Sequence, residues 1–315
     1  MNLKNTKAAY IAGQISKPQY IDTMYQLHQH LFEYADFLAD TDIAKIEITD
    51  GDVIMTSRTT GVKIRCDQKD KRLAPLEILN FNFYEKTDSD MIFKLVTSLT
   101  NQKEEEVSFF DIGANVGWYT INLAKSFEKV KFFAFEPIPM TFEKLKANVD
   151  LNLVNVNIHN FGFSNEEKEL NFYYYPEGSG NASAANLSEL DNVQIVPCFV
   201  KKLDDFTVEK SLSVDFIKCD VEGAELFVYQ GGIQSLKRNK PIIFTEMLRK
   251  WSKKFNYHPN AIIDLLFGIG YRCFTAKEDK LVEFFRMDEN TMETNFFFLD
   301  SVNHTAVIES LTLKV

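Results

Sequence analysis

The spacing of apolar residues changes along this chain, from a helical period near its start to short strand-like runs further on. Between residues 19 and 39, apolar side chains recur every three or four positions, as in an amphipathic helix. Residues 46–64 alternate apolar and polar positions around two glycine-containing turns, which predicts a small antiparallel meander. We therefore predict an N-terminal helix and β-meander extension over residues 1–80 and a main domain over residues 81–315.

The apolar face of the helix predicted at residues 19–39 must pack against another surface. That surface is either the main domain or a partner, and a second copy of the chain would make a homodimer.

From residue 107 onward, strand patterns alternate with helix patterns. Strands are predicted near residues 107–112, 130–136, 154–159, 214–220, 241–246, 270–275 and 294–299. Helices are predicted near residues 91–99, 117–127, 139–151, 223–238 and 258–268. This alternation indicates βαβ units and an α/β fold with a mostly parallel sheet.

Residues 169–200 interrupt that alternation. LNFYYY and VQIVPCFV predict two strands of a hairpin insertion, joined by a long loop rich in Gly, Ser and Asn. A loop of this length is either a functional lid or a surface excursion.

Composition excludes several classes of protein. The 315 residues are 45% hydrophobic, enough for a packed α/β domain, and the net charge of −10 argues against general nucleic-acid binding. Four cysteines without a C-x-x-C pair argue against a zinc site or a disulfide framework and fit a reducing compartment. The sequence has no signal-peptide core and no run of about 18 apolar residues, so we expect a soluble cytoplasmic protein without a transmembrane segment.

The most informative segment is VSFFDIGANVGWYTINL, at Val107–Leu123, which predicts a buried strand, a glycine-rich turn and the start of a helix. This order forms a ligand crevice at the carboxyl end of a parallel strand. The turn has D-x-G-x-x-x-G spacing, whereas a dinucleotide-binding turn has G-x-G-x-x-G and brings a helix N-terminus to a pyrophosphate. Gly113 lets the backbone turn sharply and approach a ligand, and Gly117 permits close helix–strand contact.

Polar side chains around this turn predict what it binds. Asp111, at the strand end, can hold a cation such as an α-ammonium group, directly or through water, and Asn115 offers a donor and an acceptor. Glu136 ends the next strand, 19 residues after Gly117, where a carboxylate accepts hydrogen bonds from the two ribose hydroxyls. A ribose, an amino-acid head group and no pyrophosphate together predict S-adenosylmethionine as the cofactor.

Three segments together resemble the FkbM family of S-adenosylmethionine-dependent methyltransferases: FFDIGANVGWYTINLAK, FAFEPIPMTFEKLKANVDLN and FIKCDVEGAELFVYQGG. The resemblance runs over about residues 76–274, and the combination of the three motifs is far more specific than any one of them. It implies a class I, Rossmann-like methyltransferase fold with a seven-stranded, mostly parallel sheet whose last strand is antiparallel. It also implies O-methylation, often of a sugar hydroxyl in a glycan or of a secondary metabolite.

The same resemblance implies cofactor contacts by position. Gly162 and Phe163 match the segment that borders the adenine, although the family more often has alanine at the position of Gly162. The expected cofactor-binding residues are Asp111, Gly113, Asn115, Gly117, Thr120, Glu136, Gly162, Phe163 and Asp220.

Methyl transfer from a sulfonium to a hydroxyl is an in-line displacement, and removal of the acceptor proton needs a base or a metal. Asp220 ends the fourth predicted strand of the sheet, Glu222 follows in the turn, and Glu246 ends the fifth. Because the carboxyl ends of parallel strands meet at one edge, we expect these three carboxylates to be catalytic. No metal is expected, although the same three residues are a possible Mg²⁺ site. Lys218, on the same strand face as Asp220, is expected to form a structural ion pair with Asp220 or Glu222.

Contacts to the acceptor are predicted from position. The resemblance places Tyr84 near the mouth of the site, and Asn181 and Ser183 in the long loop could hydrogen-bond a polyhydroxylated acceptor. His258 is a further candidate, although a histidine just before a helix is more often a cap or a surface residue.

Two other classes of function stay open. An NAD-dependent oxidoreductase would use the same strand–turn–helix unit, but the glycine spacing counts against it. A non-catalytic module that binds S-adenosylmethionine would not need acidic residues at the strand ends. The expected acceptor is a sugar or small-molecule hydroxyl and not a nucleic acid, since no N-P-P-Y-type tetrapeptide follows the fourth strand.

Overall fold

The computed structural model describes residues 2–187 and 193–312. The helices are α1 (Leu3–Ile11), α2 (Lys17–Phe37), α3 (Ala74–Phe81), α4 (Lys86–Gln102), α5 (Trp118–Ser126), α6 (Pro139–Asn152), α7 (Leu203–Glu209), α8 (Glu225–Gly231), α9 (Ile233–Asn239), α10 (Arg249–Ser252), α11 (Asn260–Phe267) and α12 (Thr305–Leu311). The strands are β1 (Ile43–Ile48), β2 (Val53–Ser57), β3 (Lys63–Arg65), β4 (Val107–Ile112), β5 (Val130–Phe135), β6 (Val156–His159), β7 (Gly162–Phe163), β8 (Lys168–Tyr174), β9 (Gln194–Lys201), β10 (Phe216–Cys219), β11 (Ile242–Glu246), β12 (Tyr271–Lys277), β13 (Lys280–Phe284) and β14 (Asn295–Asp300).

The main sheet has the strand order β13-β12-β14-β11-β10-β4-β5-β6. β6, β5, β4, β10 and β11 pair in parallel, whereas β14 runs antiparallel to both β11 and β12. The seven predicted strands and the antiparallel last one are therefore confirmed. The parallel pairing also places the carboxyl ends of β4, β5, β10 and β11 at one edge of the sheet.

The prediction of seven strands is one short, because β13 adds an eighth strand antiparallel to β12 at the end of the sheet. Only Leu281 of β13 is buried. The other four residues of β13 are only partly buried, so the strand shows little of the apolar pattern that predicts one.

The helix predicted at residues 223–238 is two helices, α8 and α9, with Gly232 between them. A Cβ at Gly232 would lie 2.7 Å from Cδ2 of Leu203, so the chain passes close to α7 at this point. Four helices of seven to nine residues were not predicted, since so few turns give little periodic signal. They are α1, α3, α7 and α12.

The central strands are buried on both faces of the sheet. Every residue of β4 is buried. The ring of Phe109 stacks on that of Phe216 with centroids 4.8 Å apart, and on the other face the ring of Phe110 lies 4.9 Å from that of Phe133. Strands covered by helices on both sides read as continuous apolar runs, which is why these strands were predictable.

The predicted meander is confirmed as the antiparallel sheet β1-β2-β3. Its last strand is held against α6, because Asn152 Oδ1 accepts from the backbone N–H of Lys63 (2.8 Å) and Asn148 Oδ1 accepts from that of Arg65 (3.0 Å). Helix α3 packs into the same apolar cluster as the meander. The boundary at residue 80 stays a prediction.

The predicted insertion at residues 169–200 contains the antiparallel pair β8 and β9, which β7 extends to three strands. After β8 the chain turns back, and Ser183 forms an isolated bridge with Tyr173. Residues 188–192 of the predicted loop lie outside the described residues.

The helix predicted at residues 19–39 is confirmed as α2. It starts with a capping box between Ser16 and Gln19, and none of its side chains is buried. Within residues 2–187 and 193–312, no helix combines the length and the apolar character needed to cross a bilayer.

Candidate active site

A cavity of about 520 Å³ opens at the carboxyl edge of the main sheet. Its walls come from the ends of β4, β5, β10 and β11, from the three-stranded insertion and from the segment between α3 and α4. The predicted site residues that line it are Tyr84, Gly113, Asn115, Glu136, Gly162, Phe163, Asn181, Asp220, Glu222 and Glu246. Segments far apart in the chain therefore meet around one space of the size that small-molecule sites usually have.

The turn over residues 111–117, called the glycine turn below, is built around Gly113. This residue has φ +80°, and a Cβ on it would lie 1.8 Å from the carbonyl oxygen of Asp220. The N–H groups of Gly113 and Ala114 both donate to the carbonyl of Phe135 at 3.0 Å. Glycine is required because the backbone just after β4 passes close to the end of β10 and also donates hydrogen bonds to the end of β5, which leaves no room for a side chain.

Three residues predicted to contact the cofactor lie behind the cavity wall, and their predicted role needs correction. Gly117 has φ +90° and begins α5, where a Cβ would lie 2.6 Å from Cδ1 of Leu145, so it lets α5 approach α6. Asp111 and Thr120 are buried, and the Thr120 hydroxyl donates a hydrogen bond to the Asp111 carboxylate. This pair supports the glycine turn on the side away from the cavity.

Lys218 is the cation that Asp111 holds, in place of the ligand cation that we predicted. Its Nζ lies 3.2 Å from Oδ1 of Asp111 and 3.7 Å from Oδ2 of Asp220, and it donates to the carbonyl of Gly113 at 2.8 Å. Burial by itself lowers the pKa of Lys218, but the charges of Asp111 and Asp220 raise that pKa above its ordinary value. Lys218 therefore stays charged beneath the turn, as the predicted structural ion pair requires.

Glu136 follows β5 and is held rigidly at the cavity wall. Its Oε2 accepts from the N–H of Asn115 (3.0 Å) and its Oε1 accepts from the N–H of Ile138 (2.9 Å). Burial raises the pKa of Glu136 to about 7, against the lowering effect of these two bonds. Each carboxylate oxygen keeps a second lone pair that can accept a hydrogen bond from a ligand.

Asp220, Glu222 and Glu246 converge as predicted, and we call them the carboxylate cluster. One oxygen from each lies within 4.8 Å of the others. Burial, and then the charge of Asp220, raise the pKa of both Glu222 and Glu246 well above the ordinary range. The cluster therefore binds a proton more readily than ordinary carboxylates do, or it can hold a cation.

Glu225 shapes this cluster, although we did not predict a role for it. Its buried Oε1 accepts hydrogen bonds from the N–H of Val221 (3.1 Å) and from the N–H of Gly223 (3.0 Å). These two bonds fix the backbone on both sides of Glu222. Glu222 itself has φ +55°, which is uncommon outside glycine. The only sequence signal was an acidic residue in the first turn of α8.

Two of the four predicted acceptor contacts lie at the cavity and two do not. Tyr84 and Asn181 line the cavity. Ser183 needs correction, because it is fully buried and its Oγ donates to the backbone carbonyl of Glu222 (2.8 Å). His258 also needs correction, because it lies outside the cavity wall and its Nδ1 accepts from the N–H of Asn260 at the start of α11 (3.2 Å).

The aromatic wall after β11 was not predicted from the sequence. Trp251 and Phe255 line the cavity, and Nζ of Lys250 lies 4.0 Å from the centroid of the Trp251 ring. Aromatic residues that follow the strand carrying Glu246 were the available signal.

The loop after β8 closes over the glycine turn. Oγ of Ser179 donates to Oδ2 of Asp70, and it lies 3.3 Å from Oδ1 of Asn115. The backbone N–H of Lys71 donates to the carbonyl of Glu177 at 3.0 Å. The N-terminal extension thus holds one side of the loop that we predicted to be either a lid or a surface excursion.

The strand order, the antiparallel β14 and a cavity built on the carboxyl ends of β4, β5, β10 and β11 define a class I, Rossmann-like methyltransferase fold. The model of the methyltransferase FkbM domain matches residues 111–273, slightly more than half of the chain. The chain therefore belongs to the FkbM methyltransferase family.

Among curated proteins, Methyltransferase 1 of Beauveria bassiana is 31% identical over an alignment of 143 residues that covers 38% of this chain and 56% of that protein. The 2-O-methyltransferase NoeI of Sinorhizobium fredii is 28% identical over an alignment of 195 residues that covers 57% of this chain and 78% of that protein. The chain thus spans little more than half the length of the first of these relatives. Among solved structures, a methyltransferase FkbM from Methylobacillus flagellatus has 15% identity and a TM-score of 0.38, over 61% of this chain and 43% of that one.

Proposed function

We propose that this protein is an S-adenosylmethionine-dependent O-methyltransferase that acts on a hydroxyl of a sugar or of another small molecule in the cytoplasm. One observation carries the proposal: the glycine turn with Glu136 and the carboxylate cluster open into the same cavity. A cofactor site and a group that accepts a proton are thus within reach of one bound pair of substrates.

The residues fit S-adenosylmethionine. Gly113 and Asn115 would face its amino-acid end, Glu136 would accept the ribose hydroxyls, and Gly162 and Phe163 would border the adenine. Glu136 supports this most directly, because its two backbone hydrogen bonds fix both oxygens at the wall. The bound sulfonium would supply an electrophilic methyl group.

The chain itself must orient the acceptor and remove its proton. Methyl transfer requires the acceptor oxygen at roughly 3 Å from the methyl carbon and in line with the breaking bond. The carboxylate cluster would receive the hydroxyl proton, since the raised pKa of Glu222 and of Glu246 makes them better bases than ordinary carboxylates. Oxygen as the acceptor atom is also supported by NoeI, which is named a 2-O-methyltransferase.

A sugar acceptor is supported by two further side chains at the cavity wall. The ring of Trp251 is a stacking surface of the kind that sugar rings use, and Asn181 offers an amide for hydrogen bonds to hydroxyls. The glycine spacing still counts against NAD, and a non-catalytic binding module would have no use for the carboxylate cluster.

The test is calorimetric titration with S-adenosylhomocysteine, for which we expect one molecule bound per chain. Glu136→Ala should weaken binding at least tenfold. The control Glu166→Ala removes another carboxylate at the cavity wall and should leave binding unchanged. A Glu136→Ala variant that binds as well as the wild type would refute the ribose assignment, and a wild type that does not bind would refute the proposed cofactor.

We also propose that a second copy of the chain covers helix α2. At 21 residues α2 is about 31 Å long, whereas α1 has nine residues and covers only its first half. Tyr20 stacks on Tyr10 with centroids 4.4 Å apart, but all side chains from Leu31 to Phe37 are exposed. The apolar residues of α2 thus keep a spacing of three and four beyond the part of α2 that α1 covers.

The charges of this hairpin favour an antiparallel pair of identical helices. Lys4, Lys7 and Lys17 outnumber Asp22 on α1 and the half of α2 that α1 covers, whereas Glu33 and Asp36 lie in the other half of α2. Two antiparallel copies place opposite charges side by side. Light scattering should show a dimer that Phe32→Glu dissociates and Gln26→Glu leaves intact, whereas a monomeric wild type would refute the proposal.

A further inference from the structure

We propose that Asp70, in the N-terminal extension, is a positioning residue for the cofactor, and that it acts through Ser179 on the amino-acid end of S-adenosylmethionine. The inference rests on the proposed function, because it concerns the site that we assign to that cofactor. It adds that a residue preceding the matched family domain, which covers residues 111–273, completes this end of the site.

The first step concerns the groups that can bind the amino-acid end. Nζ of Lys218 lies 3.2 Å from Oδ1 of Asp111, so this carboxylate is not free to hold the ammonium group of a ligand. Beside the glycine turn, Asn115, Ser179 and Gly180 line the cavity, and all three are uncharged. Such a wall holds an amino acid through hydrogen bonds, which weaken steeply when donor and acceptor are misaligned.

Asn115 is held at this wall from two sides. Its backbone N–H donates to Oε2 of Glu136 at 3.0 Å, which couples it to the carboxylate that we assign to the ribose. Its side-chain amide contacts Ser179, whose Oγ lies 3.3 Å from Oδ1 of Asn115. Asn115 also has φ +48°, and a residue other than glycine keeps such a conformation only when its surroundings hold it there.

Asp70 binds both of the donors that Ser179 has. Its Oδ2 accepts from the backbone N–H of Ser179 at 3.2 Å and from the Ser179 hydroxyl. Its Oδ1 accepts from the N–H of Arg72 at 3.0 Å, so both carboxylate oxygens are used. Asp70 is only 2% exposed, and burying a carboxylate is costly unless hydrogen bonds replace the lost solvent. These contacts therefore fix the place of Ser179 against Asn115.

The segment around Asp70 is itself anchored, as a positioning residue requires. Nζ of Lys144, on α6, lies 2.6 Å from Oδ2 of Asp67. The N–H of Lys71 donates to the carbonyl of Glu177 at 3.0 Å, next to the contact between Asp70 and the loop. Asp70 thus connects a fixed part of the N-terminal extension to the loop that lines the cavity.

The test compares two ligands in the variant Asp70→Asn. S-adenosylhomocysteine carries the amino-acid end, whereas 5′-methylthioadenosine has the same adenine, ribose and sulfur without it. The asparagine can still accept from Arg72, but its NH₂ group then faces the two donors of Ser179. We expect calorimetry to show S-adenosylhomocysteine bound about tenfold more weakly, and 5′-methylthioadenosine bound within about twofold of the wild type. Ser179→Ala removes the hydroxyl between Asp70 and Asn115 and should change the ratio of the two affinities in the same direction.

Asp67→Asn is the matched control, since it removes a carboxylate of the same segment that pairs with Lys144 instead. Both ligands should bind this control as they bind the wild type. Circular dichroism identifies a variant that fails to fold, and the other variant then carries the test. Equal weakening of both ligands, or unchanged binding of both by Asp70→Asn and Ser179→Ala, would overturn the proposal while the proposed function stands. A wild type that binds neither ligand would refute the proposed function and this inference with it.

Discussion

Replacing Lys218 by methionine tests the ion pair that supports the glycine turn. The variant keeps an apolar stem of similar length but leaves Asp111, which is only 1% exposed, without its cation. At a separation of 3.2 Å and an effective dielectric constant of about 20, the attraction between the two charges is about 5 kcal/mol. Removing one partner of a buried pair typically costs about 3–5 kcal/mol, and we expect a loss of unfolding free energy in that range.

Urea unfolding followed by circular dichroism measures this loss at neutral pH. Lys86→Met is a matched control, since it breaks an exposed pair with Asp90 and should cost less than about 1 kcal/mol. The double variant Asp111→Asn/Lys218→Met removes both charges and should regain much of the lost stability. The reasoning fails if Lys218→Met costs no more than Lys86→Met, or if the double variant is no more stable than the single one.

The remaining predictions concern the cavity and its acidic groups. Because burial raises the pKa of Glu136 to about 7 and ribose hydroxyls need the ionised form, affinity for S-adenosylhomocysteine should rise with pH through about 7 and then level off. Calorimetry should show this dependence in the wild type and not in Glu136→Gln; a flat wild-type profile would contradict it. Burial likewise raises the pKa of Glu225 from 4.5 to about 7, so its stabilising contribution is complete below about pH 4.5 and is lost as pH rises through 7. The melting temperature of Glu225→Gln should therefore rise relative to that of the wild type as the pH increases over this range. A difference in melting temperature that does not change with pH would count against the raised pKa of Glu225. Gly113→Ala should abolish cofactor binding, because its Cβ would lie 1.8 Å from the carbonyl oxygen of Asp220. Gly180→Ala meets its nearest atom at 3.6 Å and should bind normally; equal binding by both alanine variants would refute the steric argument.

Most of the main sheet could be predicted from the sequence, because strands buried on both faces have a strong local pattern. β4 is the clearest case, since all six of its residues are buried. β13 was missed because only Leu281 is buried and its other four residues are partly exposed. The more completely a strand is buried in the fold, the more clearly its apolar residues reveal it in the sequence.

The candidate site divides in the same way. Gly113, Glu136 and Glu246 could be predicted because strand order alone brings the ends of parallel strands to one edge. The roles of Ser183 and Glu225 could not, since both bond to the backbone around Glu222 through contacts that only the folded loop creates. His258 had the right chemistry for a base, but it lies at the start of α11 and outside the cavity.

By itself, the sequence determined the α/β class, the glycine turn and the acidic residues at the strand ends, because each depends on local backbone geometry and on the direction of parallel strands. Only the tertiary structure decided which charged side chains lie close to one another. It placed Lys218 against Asp111, 3.2 Å away, and brought the three oxygens of the carboxylate cluster within 4.8 Å of one another. Electrostatic interactions depend on distance and burial, and neither can be read from spacing along the chain.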